Sequence, residues 1–127
     1  MSVRSEIVRL LDGVTELGKR NYADQRPEGE AMPMTIVLDG LSESVGLAGD
    51  SGRVMHWKRL CQVDLWEDAE ASSLATIDAV KNVLDGARIV GAFHLHVTSS
   101  DRIYDPDPRL VHTAITCTVV RPRVMSS

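Results

Sequence analysis

The sequence predicts an α+β fold: a two-layer sandwich in which two helices cover one face of an antiparallel four-stranded sheet, in the order α-β-β-α-β-β. Three observations lead there. Apolar residues near the start recur at helical spacing, and a second such stretch lies mid-chain. The segments between and after them alternate apolar and polar residues, as half-buried strands do. The strands come in pairs joined by turn-forming stretches, which favours hairpins over parallel crossovers. At 127 residues the expectation is one domain spanning 1–127.

The first helix is read from Ile7, Leu10, Leu11, Val14 and Leu17, which form one stripe. Ser2 or Ser5 can cap it, Glu6 suits its first turn, and Gly18 suits its end. Gly13 weakens it by about 1 kcal/mol against alanine. Residues 19–33 lack periodicity and hold two prolines, so they read as a connector. "MTIVLDG" is a short strand entered by Pro33 and left by Gly40. Residues 39–53 hold four glycines and three serines and read as a long, mobile hairpin loop.

"VMHWKRLCQVDLW" is a long strand, with Met55, Trp57, Cys61, Val63 and Leu65 on one face. "EDAEASSLATIDAVKNVLDG" is the second helix. Its stripe is Ala71, Leu74, Ile77, Lys81 and Leu84, widened by Val80 and Val83, with Asp68 as cap and Gly86 just past its end. "RIVGAFHLHVTS" is read as one strand, "SDRIYDPDP" as a loop, and "RLVHTAITCTVVRP" as the last strand, stopped by Pro122. The face away from the helices leans polar.

Composition excludes several functions. The chain is 43% hydrophobic and 25% charged, with a net charge of −4. That balance disfavours simple nucleic-acid binding, which needs a basic footprint, yet allows a surface past which DNA slides. No apolar run reaches membrane-spanning length, and the N-terminus has no signal-peptide core. Cys61 and Cys117 form no CxxC and read as structural free thiols.

The polar segment 91–112 contains His94, His96 and His112, with Asp101, Asp105 and Asp107 among them. His94 and His96 alternate, so they share a strand face. Aligned apolar faces in a terminal hairpin would add His112 to that face. Three imidazoles could hold zinc in a small metal-dependent enzyme, although no fixed ligand spacing supports it. Solvated or interface histidines are the simpler reading. A monomeric ligand- or peptide-binding module is a third. The Asp-Pro run lacks the glycine and glutamate of a calcium loop and reads as a rigid turn. Neither cysteine has an obvious base, and no catalytic, metal or cofactor set converges. Trp66 and Leu60 lie on the outward face, which suits a protein contact.

The element order, the strand ending "CQVDLWED", the helix "SLATIDAVKNVLDG" and the hairpin loop "YDPDPRLVH" resemble the tail terminator (tail completion, head–tail joining) proteins of long-tailed bacteriophages. The resemblance covers nearly the whole chain. It implies a non-enzymatic structural protein with no cofactor, made in the host bacterial cytoplasm and located in the virion tail or neck. It also implies a homohexameric ring that ends tail-tube assembly and meets the tail tube protein and the head completion or connector protein. DNA would pass through without specific binding, and no membrane is involved. The family carries no motif that assigns single residues. From loop position and face parity alone, the expected interface comprises Leu41, Val45, Leu47, Leu60, Trp66, Asp101, Arg102, Tyr104 and Arg109.

Overall fold

The computed structural model describes residues 3–23, 31–48, 53–70, 74–89 and 93–122, with side chains described except at 40–48, 53–57, 93 and 121–122. Its elements are α1 (Val3–Leu11), a 3-10 turn (Thr15–Leu17), β1 (Asn21–Ala23), β2 (Met34–Ala48) and β3 (Arg53–Asp68), then α2 (Leu74–Leu84), β4 (Arg88–Ile89), β5 (Phe93–Ile103) and β6 (Leu110–Pro122). The strands form one sheet in the order β1-β2-β3-β6-β5-β4.

This corrects the expected four-stranded antiparallel sheet. The sheet has six strands, is curled, and is mixed, because β1 runs parallel to β2. Both extra strands are too short to show an alternation. β1 sits in the aperiodic connector and is held by polar contacts. The Thr35 N–H donates to Arg20 O at 3.0 Å, and the Thr35 hydroxyl donates to Asn21 Oδ1 at 2.6 Å. Asn21 Nδ2 in turn donates to Asp12 Oδ1 at 2.9 Å. β4 comes from folding "RIVGAFHLHV" back on itself: Ile89 pairs with Phe93 and Arg88 with His94. The single strand expected there is a tight hairpin, with Gly91 in the connecting stretch outside the described residues.

Within the stretch expected as a mobile loop at 39–53, residues 39–48 and Arg53 are strand instead, and residues 49–52 lie outside the described residues. β2 and β3 stay paired from Met34↔Trp66 out to Ala48↔Arg53, with irregularities between Leu38 and Ser42 and between Gly46 and Leu47. Glycine and serine suggested a loop, but the ladder passes through them by bulging. Leu41, Val45 and Leu47 therefore lie in a strand.

Both helices pack on one sheet face. Val3, Ile7 and Leu11 of α1 and Val80 and Leu84 of α2 join Val37, Cys61, Val63, Leu65, Leu95, Ile115, Cys117 and Val119 in one buried cluster. Each fully buried Leu, Ile or Val contributes about 1.5–3 kcal/mol. The N-terminal stripe buries as expected, yet it is not one helix. α1 ends at Leu11, and Val14 and Leu17 reach the core from the turn that follows. Gly18 then adopts the left-handed conformation (φ 54°), which glycine takes without steric cost. Glu6 is buried in the first turn of α1, and its Oε2 lies 2.8 Å from Arg9 Nη2.

In α2 the expected stripe is partly displaced. Leu74 is 77% exposed, while Thr76 is buried. Asp68 does not cap the helix, because it is the last residue of β3, opposite Leu110. Ala71 lies outside the described residues.

Candidate functional site

The register of the four long strands arranges the helix-free face in rows. Met34, Trp66, His112 and Ile103 stand level across β2, β3, β6 and β5. Below them come Ile36, Asp64, Ala114 and Asp101, and then Leu38, Gln62, Thr116 and Ser99. Further along, Leu60, Thr118 and His96 share a row. The face is less polar than its composition suggests. Met34 is fully buried, and Ile36, Asp64 and Ala114 are nearly so.

The first two rows form a connected cluster. The Trp66 and His112 rings stack with centroids 4.2 Å apart at 16°. The indole Nε1–H of Trp66 donates to Asp105 Oδ2 at 3.2 Å. Gln62 Nε2 donates to Asp64 Oδ1 at 2.6 Å. His112 Nε2 lies 3.1 Å from that same oxygen, at ion-pair distance but off the hydrogen-bonding direction. A buried carboxylate therefore faces an imidazole whose ring is fixed by the indole.

Asp105 extends the cluster into the end loop. Its Oδ1 accepts the Asp107 N–H at 2.9 Å. Asp107 accepts from the Arg109 backbone at 2.9 Å and from the Arg109 guanidinium at 3.0–3.1 Å. That hydrogen bond, and then the Asp107 charge, hold the exposed Arg109 guanidinium above its ordinary pKa. Ala69 N–H donates to Arg109 O at 2.7 Å, which ties the loop to the end of β3. The Asp-Pro stretch is thus a hydrogen-bonded turn, and Asp105 also ties it to Trp66.

The expected interface residues fall in separate places. Tyr104 is 88% exposed at the start of the end loop, with Arg109 exposed at its close. Asp101 and Arg102 are exposed on β5, on opposite faces. Trp66 and Leu60 are half-buried on the helix-free face. The side chains of Leu41, Val45 and Leu47 lie outside the described residues. Sequence reasoning missed Asp64, Asp105 and His112 as a group. The parity of Trp66 placed an aromatic ring on the outward face, and only the strand register shows that His112 meets it there.

The three histidines do not converge. His94 pairs with Val120 and His96 with Thr118, but a bulge between Val97 and Ser99 shifts the register by one. His112 consequently pairs with Ile103. From Thr118 to His112 is six residues, about 20 Å along a strand. His112 shares the face of the other two but not their neighbourhood. Among the described residues, no three His, Cys, Asp or Glu side chains are grouped to hold a metal.

Cys61 and Cys117 are direct cross-strand partners on the opposite, helix-covered face, fully buried and not joined in a disulfide, and the Cys61 thiol donates to Asp39 Oδ1 at 3.1 Å. Burial, and then the charge of Asp85, push the Cys117 thiol up to about 12. It is an unreactive core group. Among the described residues, no helix is long and apolar enough to cross a membrane.

A hydrogen-bonded face with exposed side chains at one end suits a contact with other proteins. Comparison with known proteins shows which kind of protein presents it. The model of the family "Tail completion protein gp17" matches residues 6–121, and the chain belongs to that family. Membership makes it a structural protein of a phage-like virion, located in the tail and neck. A chain in the solved "Virion of native gene transfer agent (GTA) particle" has the same fold, with a TM-score of 0.67 and 16% identity, over 94% of this chain and 93% of that one. No curated protein matches this chain.

Proposed function

We propose that the protein, acting as one α+β domain over residues 1–127, forms a homohexameric ring at the head–tail junction. The ring ends tail-tube assembly, joins the tail to the head connector and lets DNA pass. The observation that carries this reading is the tail completion match over residues 6–121. The gene transfer agent chain, which belongs to a virion, supports it through a shared fold.

Termination follows from unlike ring faces. One surface fits the last tube ring, while the other fits the head completion protein and no longer templates tube subunits. Tyr104 and Arg109 are exposed at one end of the sheet and suit an axial contact, while Asp101 and Arg102 are exposed on the edge strand β5 and suit a contact between neighbouring copies. Leu60 and Trp66 belong to the helix-free face, and Leu41, Val45 and Leu47 to the long β2–β3 hairpin. A net charge of −4 is compatible with a channel that does not grip the DNA backbone.

Deletion of the gene tests the reading. Overlong tails, or heads and tails that fail to join, are expected. Normal infectious particles would refute it, as would labelled protein found away from the neck.

A further inference from the structure

The sheet carries two open edges, and they are offset. On one side β1 covers β2 only at Thr35–Val37. On the other side β4 covers β5 only at Phe93 and His94. The 84–87 turn extends that cover slightly: Gly86 N–H donates to Leu95 O, Leu95 N–H to Ala87 O, and Val97 N–H to Asp85 Oδ1. Beyond these stubs, among the described residues, no strand pairs with the outer edge of β2 from Leu38 to Ala48 or of β5 from Thr98 to Ile103. Open edges of that length are templates for another strand.

We propose that the free edge of β5 in one copy pairs with the free edge of β2 in the next, so that the ring is closed by sheet continuity. The inference rests on the ring reading above and adds its interface.

Direction, position and stagger all agree with it. β2, β3, β6 and β5 alternate in direction. In a cyclic ring, therefore, β5 meets the next β2 antiparallel, continuing the alternation. Level pairing is blocked, because β1 and β4 occupy the halves of the edges that would meet. The free half of β5 lies level with Met34–Leu38, since Ile103 shares a row with Met34 and Ser99 with Leu38. The free half of β2 begins at that last row and runs the other way. Pairing the two halves requires a slip along the strands between neighbours. Closed sheets tilt their strands by about 35–45°, and four strands about 4.8 Å apart then slip by ~13–19 Å, or ~4–6 residues. A slip of that size brings Ser99 and Asp101 opposite the 40–46 stretch.

The hand of the slip also decides which face turns inward. Thr35 shares the core-facing side of β2 with Val37, and its N–H points to β1. For L-residues, seen from the helices with β2 running up, β1 is therefore on the right and β5 on the left. Strands in closed sheets coil right-handedly because sheet twist has a fixed hand. The slip required here has that hand only with the helices outside. The face bearing Gln62, Trp66 and His112 then looks toward the axis.

Cross-linking in assembled virions tests the pairing. Ser42→Cys or Ser44→Cys is combined with Ser99→Cys or Asp101→Cys, and a short bis-maleimide is added. Cys61 and Cys117 are buried and stay silent. At least one of the four combinations is expected to give a covalent ladder up to the hexamer, with none from the single variants. No ladder in any combination, in particles where an amine cross-linker does give the hexamer, overturns the edge pairing and leaves the ring. If the amine cross-linker gives no multimer, the ring reading falls and the edge pairing with it. Hydrogen exchange on the unaltered protein serves where variants do not assemble. Amides in 98–103 and 40–46 are expected to slow on incorporation, and unchanged exchange overturns the proposal.

Discussion

Trp66 and His112 stack at 4.2 Å, and the same indole binds Asp105 of the end loop. One side chain thus contacts both a half-buried imidazole and the Asp-Pro turn. Trp66→Phe keeps a ring on His112 but removes the bond to Asp105. It is expected to cost about 1 kcal/mol. Trp66→Ala also removes the packing and is expected to cost about 3 kcal/mol. Denaturant midpoints measure both. Equal losses would mean that the stack itself contributes little.

Cys117 makes alkaline stability a direct measure of core burial. Its thiol moves from an ordinary 9.0 to about 12 on folding. The raised value means that the folded state holds the proton more tightly than the unfolded state. The associated stability is fully present below pH 9 and is lost as pH rises toward 12. Cys117→Ala removes this component, so the stability gap between the two proteins is expected to narrow across that window. A gap independent of pH would show that the thiolate is tolerated in the core. At neutral pH, a thiol reagent is expected to label neither buried cysteine of the native protein.

The legible parts of this fold were those with long periodicity. Of the stripe Ile7, Leu10, Leu11, Val14 and Leu17, all reached the core except Leu10, which is partly buried against it. Cys61, Val63 and Leu65 of the β3 alternation reached it too, while the side chains of Met55 and Trp57 lie outside the described residues. What failed was short or composition-driven. Asn21–Ala23 has only three residues and is held by Asn21 and Thr35 side chains, which no pattern announces. Residues 39–53 read as loop because they hold four glycines and three serines, yet strand pairing, observed over 39–48, depends on backbone groups that every residue supplies. The histidine cluster dissolved through the hairpin register: His96 pairs with Thr118, which leaves His112 six residues further along β6. The bulge at Thr98 reverses the parity of everything after it on β5, and single-residue slips leave no trace in a hydrophobic pattern. Trp66 was legible as anomalous for its face, but its partners Asp105 and His112 needed the register.

Tyr104 and Arg109 separate assembly from folding. Tyr104 is 88% exposed, and among the described residues Arg109 bonds to Asp107 of its own loop and to Ala69. Tyr104→Ala and Arg109→Ala are each expected to leave the thermal midpoint unchanged. Tyr104→Ala should lower the yield of joined particles about tenfold or more, as the loss of an aromatic interface anchor does. Melting curves of the pure protein and electron micrographs of lysates provide the two readings. Full joining by both variants would move the axial contact away from this end of the sheet.

Gly86 tests how the covered edge of β5 is set. It follows α2 with φ 78°, and its N–H donates to Leu95 O at 2.8 Å. A Cβ there would meet nothing within 4 Å, so any penalty comes from the backbone alone. Gly86→Ala is expected to cost about 1 kcal/mol, because alanine resists the left-handed region. Gly86→Asn should cost less, since asparagine visits that region readily. The order Gly, Asn, Ala in unfolding free energy checks the argument. If instead both variants are as stable as the parent, the turn can relax without disturbing the Leu95 bond. Hydrogen exchange at the Leu95 amide, which donates to Ala87 O at 2.9 Å in the same turn, reports the local consequence. Faster exchange in Gly86→Ala than in Gly86→Asn is the result expected if this glycine sets the β4–β5 edge.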